Sequence, residues 1–360
     1  MRVFITGIAG FVGTTLARAF RRDFPQAQIH GLDNLKRRGS ELNLSLLKKA
    51  GVEFYHGDIR CPEDLQAVDG NFDLFIEASA EPSVLAGAAG PGYVLQTNLV
   101  GTLNCLEFAR KRCGLFAFLS TSRVYSLSPL RALSLEERVS RFELSSVQRF
   151  KGVTAGGISE GFPTDSPRSL YGGSKLASEI IVQEYANTFG LNVILNRCGV
   201  IAGPGQFGKV DQGVYTLWVA HHYFGLPLKY TGFKGEGKQV RDLLHPEDLY
   251  KLLRLQIASK KVTAEVFNVG GGPENSISLA ELTALCEKTI GRSTELSSSA
   301  DTHAMDIPYY VSDNSKVREF FGWEPQISVP GIVEAIFRWL KENEASLRPL
   351  FQFPPSAESK

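Results

Sequence analysis

Tyr171 and Lys175 stand four positions apart in YGGSK, so on a helix they share one face and lie about one turn from each other. An ammonium beside a phenol stabilises the phenolate and lowers a pKa that otherwise sits near ~10. Tyrosine then becomes a usable base at neutral pH. On an amphipathic surface helix the same pair would be chemically idle, and what precedes it decides between the two readings. Upstream lie STSRVYS at 120–126, a hydroxyl pair followed by an arginine, and TGIAGFVG at 6–13. In the second, Gly7, Gly10 and Gly13 separate an apolar run from an amphipathic one. Glycines there let backbone N–H groups approach a pyrophosphate at a helix N-terminus, where the dipole also favours the anion. Asp33 follows Gly13 by twenty positions, at the end of the next apolar run, where a carboxylate accepts both hydroxyls of an adenosine ribose. That favours NAD over NADP, although Lys36, Arg37 and Arg38 are close enough to hold a phosphate. Asp58 and Ile59, after the third apolar run, are placed to reach an adenine.

These groups must be carried by strands and helices in alternation. Short apolar runs (RVFIT, QIHGLD, VEFYH, DLFIEA, LFAFLS) alternate with amphipathic stretches, which predicts parallel strands joined by crossover helices. In FVGTTLARAF, Phe11, Thr15 and Ala19, like Val12, Leu16 and Phe20, recur at helical spacing. Two longer helices are expected in TNLVGTLNCLEFARKR and YGGSKLASEIIVQEYANTF. The fold class is therefore α/β, a Rossmann-type doubly wound parallel sheet with a smaller, loop-rich C-terminal substrate lobe. Residues 1–198 form the dinucleotide-binding domain, with an irregular insertion at about 126–169 over a site edge. Residues 199–345 form mainly the substrate lobe, part of the chain being free to return to the first domain, and 346–360 read as a tail.

Composition removes several classes of function. Thirty-nine basic against 38 acidic residues leave a net charge of +1, too little to draw nucleic acid or a membrane surface. No apolar run approaches the roughly 18 residues of a membrane span. Five cysteines without a C-x-x-C pair suggest neither a disulfide framework nor a zinc site, and point to a reducing cytoplasm. The adjacent His221 and His222 would point apart, so no metal site is expected.

Taken together, TGIAGFVG, LDNL, HGDIR, TNLVGTLNCLEFAR, STSRVY, YGGSK, VRDLLH, FNVGGG and DNSKVREFFGWEP resemble the extended short-chain dehydrogenase/reductases, the family of nucleotide-sugar epimerases and dehydratases. The resemblance covers nearly the whole chain. It implies that Thr121 holds the reacting sugar oxygen, that Tyr171 is the acid/base, and that Lys175 binds the nicotinamide ribose while tuning Tyr171. It further implies that Asn98 braces the site and that NAD is contacted by Gly7, Gly10, Phe11, Val12, Gly13, Asp33, Asn34, Asp58, Ile59, Ala78, Ala80 and Arg197. Family dehydratases carry Asp-Glu directly after the hydroxyl, to eliminate water; this chain has Ser122 and Arg123. Such a site oxidises and reduces but lacks the usual acid and base for elimination, so epimerisation is expected.

Within the family, LDNLKRRG, the threonine of STSRVY, GPGQFGKVDQG and GKQVRDLLH are most similar to the CDP-paratose (CDP-tyvelose) 2-epimerases. This implies inversion at carbon 2 through a transient 2-keto sugar, with Gln206, Phe207, Asp211 and Gln212 facing the sugar nucleotide and Arg241 on its diphosphate. Many members place a second arginine three residues before the aspartate of a late R-x-x-D. Here His303 precedes Asp306, and a mostly neutral histidine weakens that half of the clamp or leaves it to be supplied elsewhere. Glu81 stands where these 2-epimerases commonly have glutamine. A 4-epimerase or reductase of a UDP-, GDP- or dTDP-sugar would use the same three residues, and a non-catalytic NAD-binding protein is a third reading. A homodimer through the two long helices is implied by the family.

Overall fold

Seven apolar runs pair into one all-parallel sheet: β1 (Arg2–Thr6), β2 (Gln28–Asp33), β3 (Glu53–His56), β4 (Leu74–Glu77), β5 (Phe116–Thr121), β6 (Val193–Cys198) and β7 (Val266–Val269). The computed structural model describes residues 1–208, 212–259 and 264–352. The strand order is β7-β6-β5-β4-β1-β2-β3. Alternation along each strand sends Val3, Ile5, Leu74, Ile76 and Ala117 to one face and Phe4, Phe75, Phe116 and Phe118 to the other. Both faces must therefore be covered, which is why these strands read as continuous apolar runs. Helices α1 (Phe11–Asp23) and α5 (Pro246–Ala258) cover the aliphatic face. Helices α2 (Gly101–Arg112) and α3 (Leu170–Phe189) cover the aromatic one, where each buried phenylalanine contributes about 1.5–3 kcal/mol.

The chain leaves β1 toward β3 on one side and returns through β4 toward β7 on the other, so a crevice opens at the carboxyl ends of β1 and β4. In open α/β sheets that is where ligands bind. Two helix starts are specified locally. Ser169 caps α3, its hydroxyl accepting the Gly172 N–H, and Gly190 ends that helix with a φ of 67°. Helix α2 is entered through one π-helical turn, Gln96–Val100, a feature that concentrates at functional sites.

The second lobe is less loop-rich than its glycines suggest. Strands Val200–Ile201, Val240–Leu244, Ser276–Ser278 and Tyr309–Tyr310 make a small sheet. Helices α4 (Val214–Phe224), α6 (Leu279–Ile290) and α7 (Val329–Glu342) build its core around Trp218, Leu282, Ile332 and Ile336. Helix α4 is buried on nearly all sides, so it lacks the one-sided pattern that marks a surface helix. Both α5 and β7 come from this half of the chain and return to the first sheet. The tail expected from Ser346 is helical to Gln352: α8 (Glu344–Gln352) buries Leu347 and Phe351, and Phe351 meets Phe224 with ring centroids 5.9 Å apart. The 126–169 insertion is ordered as a short helix, Leu127–Arg131, and two small hairpins. They bury Leu130, Ile158 and Phe162 against Tyr125, Tyr310 and Val311. Among the described residues no helix is long and apolar enough to cross a membrane.

Candidate active site

The glycine loop after β1 is a cradle that only glycine tolerates. A Cβ on Gly13 would lie 2.3 Å from the Gly7 carbonyl oxygen and 2.7 Å from the Ile8 Cα, both backbone atoms. Gly7 adopts a φ of 68°, and a Cβ there would lie 2.8 Å from the Ala78 oxygen and the Ser79 Cα. The loop thus presses on the segment after β4 that contains Ala78 and Ala80. Phe11 and Val12 occupy the first turn of α1, whose N-terminus opens into the crevice. Asp33 ties the loop to β2: its carboxylate accepts the Ala9 N–H at 3.0 Å and the Leu35 N–H at 2.8 Å. Burial raises its pKa, opposed by those backbone bonds. A carboxylate has about four acceptor positions, so ribose hydroxyls can still be accepted.

The three neighbouring cations are turned to protein partners. Lys36 lies over the Tyr93 ring at 3.1 Å, Arg37 donates to the Phe207 carbonyl, and Arg38 donates to that of Pro349. Asp58 accepts from Asn34 at 2.9 Å and from Arg60 at 2.7 Å. Burial raises the Asp58 pKa, but these bonds more than offset it and leave the carboxyl at about 2. Ile59 is buried and would collide with any side chain at Gly101. The cradle, the carboxylate of Asp33 and the Asn34–Asp58 pair fit an adenosine diphosphate moiety without a 2′-phosphate.

At the other end of the crevice, Thr121 closes β5 and Tyr171 opens α3. A Cβ on Gly172 would lie 2.0 Å from the Arg123 carbonyl oxygen, so glycine there lets the helix press against the Ser122–Val124 turn. This brings the Thr121 hydroxyl beside the Tyr171 phenol. Asn98, fully buried in the π turn, accepts the Glu81 N–H at 2.8 Å and donates to the Glu81 carbonyl at 3.0 Å and to Ser174 at 3.2 Å. It therefore braces the segment after β4 against α3.

The sequence pattern led to a phenol lowered by Lys175, and the free chain differs. Burial pushes Tyr171 up to about 12, against the Thr121 hydrogen bond and the positive charge of Arg123. Lys175 instead lies 3.8 Å from the centre of the Phe118 ring. Its pKa is lowered by burial, opposed by the charges of Glu77 and Glu179. Arg123 is a cation that also acts on the phenol in the free chain.

Arg123 is half-buried, not solvated. Its guanidinium donates one 3.4 Å hydrogen bond to the Met305 carbonyl and has no ion pair among the described residues. Burial, with the charge of Arg241, lowers its pKa to about 10. Arg241 does not pair with neighbouring Asp242. It meets Asp306 at 3.3 Å and donates to the Ile307 carbonyl at 2.8 Å, whereas Asp242 accepts the N–H groups of Gly272 and Ser312. Arg123, Tyr171, Tyr215, Arg241 and Asp306 are thus electrostatic neighbours.

Several expected contacts are placed elsewhere. His303 is exposed, and its ring accepts the Met305 N–H at 3.1 Å, so it lies on its own backbone. The Gln206 amide is spent inside the loop, donating to the Ile201 carbonyl and accepting from Thr216. Phe207 packs on Trp339, with centroids 6.0 Å apart, and over Gly39. Gln212 does keep a buried side-chain oxygen without a partner among the described residues; Asp211 lies outside them. Arg197 is committed to Glu179 in a two-pronged buried ion pair, 2.7 Å at its shortest, and lies over the Tyr125 ring. Its spacing in the chain carries no sign of that pairing, because Glu179 reaches β6 only once α3 has packed.

Two carboxylates under the site, Glu77 and Glu179, were missed by sequence reasoning. An acid in the apolar run DLFIEA was the available signal for the first.

A sequence model of the "NAD dependent epimerase/dehydratase family" matches residues 3–270. The chain is 31% identical to CDP-paratose 2-epimerase of Salmonella typhi over 94% of this chain and 99% of the relative. It is 28% identical to dTDP-glucose 4,6-dehydratase of Streptomyces niveus, over 97% and 96% of the two chains. Among solved structures, a double mutant of dTDP-glucose 4,6-dehydratase from Streptomyces venezuelae, with NAD bound, superposes with a TM-score of 0.79 at 26% identity. That match covers 97% of this chain and all of the other.

Proposed function

The chain belongs to the NAD dependent epimerase/dehydratase family, so its cofactor is NAD, and from that premise we propose a nucleotide-sugar epimerase that inverts carbon 2, with CDP-paratose and CDP-tyvelose as its substrate pair. One observation carries this reading: Thr121 lies beside Tyr171, with Lys175 one turn along the same helix, while Ser122 and Arg123 stand where an acid pair would follow the threonine. Bound NAD supplies a reversible two-electron oxidation of the sugar carbon. Thr121 holds the reacting oxygen, and Tyr171 removes its proton and later returns it. Lys175 holds the nicotinamide ribose. Arg241 has the donor fork for a diphosphate oxygen pair, and Gln212 offers its unpartnered oxygen to the nucleotide sugar. Inversion requires the keto sugar to present its other face before reduction, so the pocket must hold the diphosphate and let the sugar turn.

A second reading, 4-epimerisation of another nucleotide sugar, is favoured by Arg123. A guanidinium beside Tyr171 with no ion-pair partner among the described residues suits a sugar with an anionic substituent, and a 3,6-dideoxy sugar has none. The deciding experiment is an NMR time course of the purified protein without added NAD, using CDP-paratose, CDP-tyvelose and a nucleotide-linked uronate in turn. Conversion of both CDP-sugars to one common ratio supports the first reading. Conversion of the uronate alone overturns it for the second.

We also propose a cytoplasmic homodimer in which residues 1–198 carry NAD and most of 199–345 carries the sugar. Leu103 on α2 and Ile180 and Phe189 on α3 leave 41%, 52% and 54% of their surface exposed, large apolar side chains open to solvent on the two long helices. Sedimentation is expected to give twice the 39.5 kDa chain mass; a monomer at micromolar concentration would refute the dimer.

A further inference from the structure

Beneath the reacting residues lies a cluster of buried charges that the proposed cycle does not use. Glu77 ends β4 with 1% of its surface exposed. One carboxylate oxygen accepts the Thr102 hydroxyl at 2.7 Å, and the other has no hydrogen-bond partner among the described residues. Lys175 is equally buried, and its ammonium makes no hydrogen bond among those residues, resting on the face of Phe118. Glu179, one turn further along α3, also acts on Lys175, but it is neutralised by Arg197 and takes the Ser120 hydroxyl as well. Glu77 stands opposite Phe118 in the pairing of β4 with β5, beside the ring on which the ammonium rests, and of these two carboxylates it alone has an unpartnered oxygen and no ion pair among the described residues.

A single buried carboxylate or a single buried ammonium is costly, and each tends to discharge; placed together, each keeps the other ionised. We propose that Glu77 is the counter-ion that keeps Lys175 protonated, a positioning residue that acts on Tyr171 through Lys175 without touching the substrate. This rests on the reading of Tyr171 and Lys175 as the reacting pair.

Other groups also face Glu77 and Lys175: Thr102 and Cys105 from α2, Glu179 from α3 with Arg197 paired to it, and Cys198 from β6. Burial raises both thiols, Cys198 to about 12, and Arg197 remains cationic. Burial also raises Glu77 to about 7, against the pull of Lys175. A raised carboxyl is neutral below that pH, so the counter-ion is lost as pH falls through neutrality and is fully present above it.

The test uses Glu77→Gln, which keeps an acceptor for Thr102 and removes the charge, beside Glu77→Asp, which restores it. In the cofactor-free protein, the rate at which an amine-directed acylating reagent labels Lys175 is followed against pH by peptide mass spectrometry. The Gln variant is expected to label at least ~10-fold faster at about pH 9, where the parent's Glu77 is ionised, since about one pKa unit moves the neutral fraction tenfold, and the Asp variant is expected to behave like the parent. With substrate, the acid limb of kcat/KM should move to higher pH in the Gln variant and return in the Asp variant. Unchanged Lys175 labelling overturns the proposal. So does a loss of rate that is uniform in pH and accompanied by a lower melting temperature, which would make Glu77 structural only. If Lys175 labels as expected while no nucleotide sugar turns over, the counter-ion stands and the assignment of the reaction falls.

Discussion

Tyr171→Phe is expected to lower kcat by about 10²–10⁴-fold, the usual contribution of a positioned acid/base, while the protein still carries NAD and melts close to the parent. Phenylalanine fills the same buried space, and the phenol's interactions at the site are the Thr121 hydroxyl and the charges around it. The pH dependence separates this role from simple packing. Because burial holds the phenol near 12 in the free chain, the phenolate fraction and the parent's rate should rise with pH across the neutral range; the residual rate of the variant should not. Single-turnover measurement on protein with bound cofactor is the direct check. Unimpaired turnover of the Phe variant would remove Tyr171 from the chemistry.

A comparable effect on stability is expected at Arg197→Met. Removing one partner of a buried ion pair typically costs about 3–5 kcal/mol, because the other charge stays buried without compensation. With roughly 2–4 °C of melting temperature per kcal/mol in chains of moderate size, a fall of about 6–20 °C follows. Glu179 would keep only the Ser120 hydroxyl, next to Lys175. The double variant Glu179→Leu/Arg197→Met should recover most of the loss, since apolar replacement of a whole buried pair is often neutral. Thermal unfolding of the parent, both single variants and the double variant closes the cycle. Equal losses in Arg197→Met and the double variant would show that packing over Tyr125, not charge, is what Arg197 supplies.

The contrast between Tyr171 and Arg197 marks what was legible in the sequence. The sheet was readable because strands buried on both faces leave continuous apolar runs. The cradle was readable because three glycines at fixed offsets have a steric purpose, visible in the 2.3 Å approach that a side chain at Gly13 would make. Tyr171 and Thr121 stand in recognisable motifs, and the packing of α3 against Ser122–Val124 brings them together. Arg197, Gln206 and Phe207 were read as contacts for a ligand. Arg197 sits on a strand end whose partner is set by a helix packed across it. Gln206 and Phe207 sit in a loop that folds back on Ile201, Thr216 and Trp339. Such pairings are decided by tertiary packing and leave no local pattern. Helix α4 and α8 were hidden for a related reason: one is apolar all round, and the other carries Pro349 inside a short polar segment.

The π turn at Gln96–Val100 works as a phase shifter for everything N-terminal to it. An α-helix rotates about 100° per residue, and the wider turn absorbs one residue without passing that rotation on to α2. Asn98 can therefore face Glu81 and Ser174 while Cys105 and Leu106 still face the sheet; its carbonyl accepts both the Thr102 and Ser178 hydroxyls. Losing a single residue within this turn would keep every side chain of the site in the chain. It would rotate Asn98 off the Glu81 backbone and carry Tyr93 away from Lys36, so that the bracing of the reaction end and the edge of the nucleotide end would slip out of alignment together.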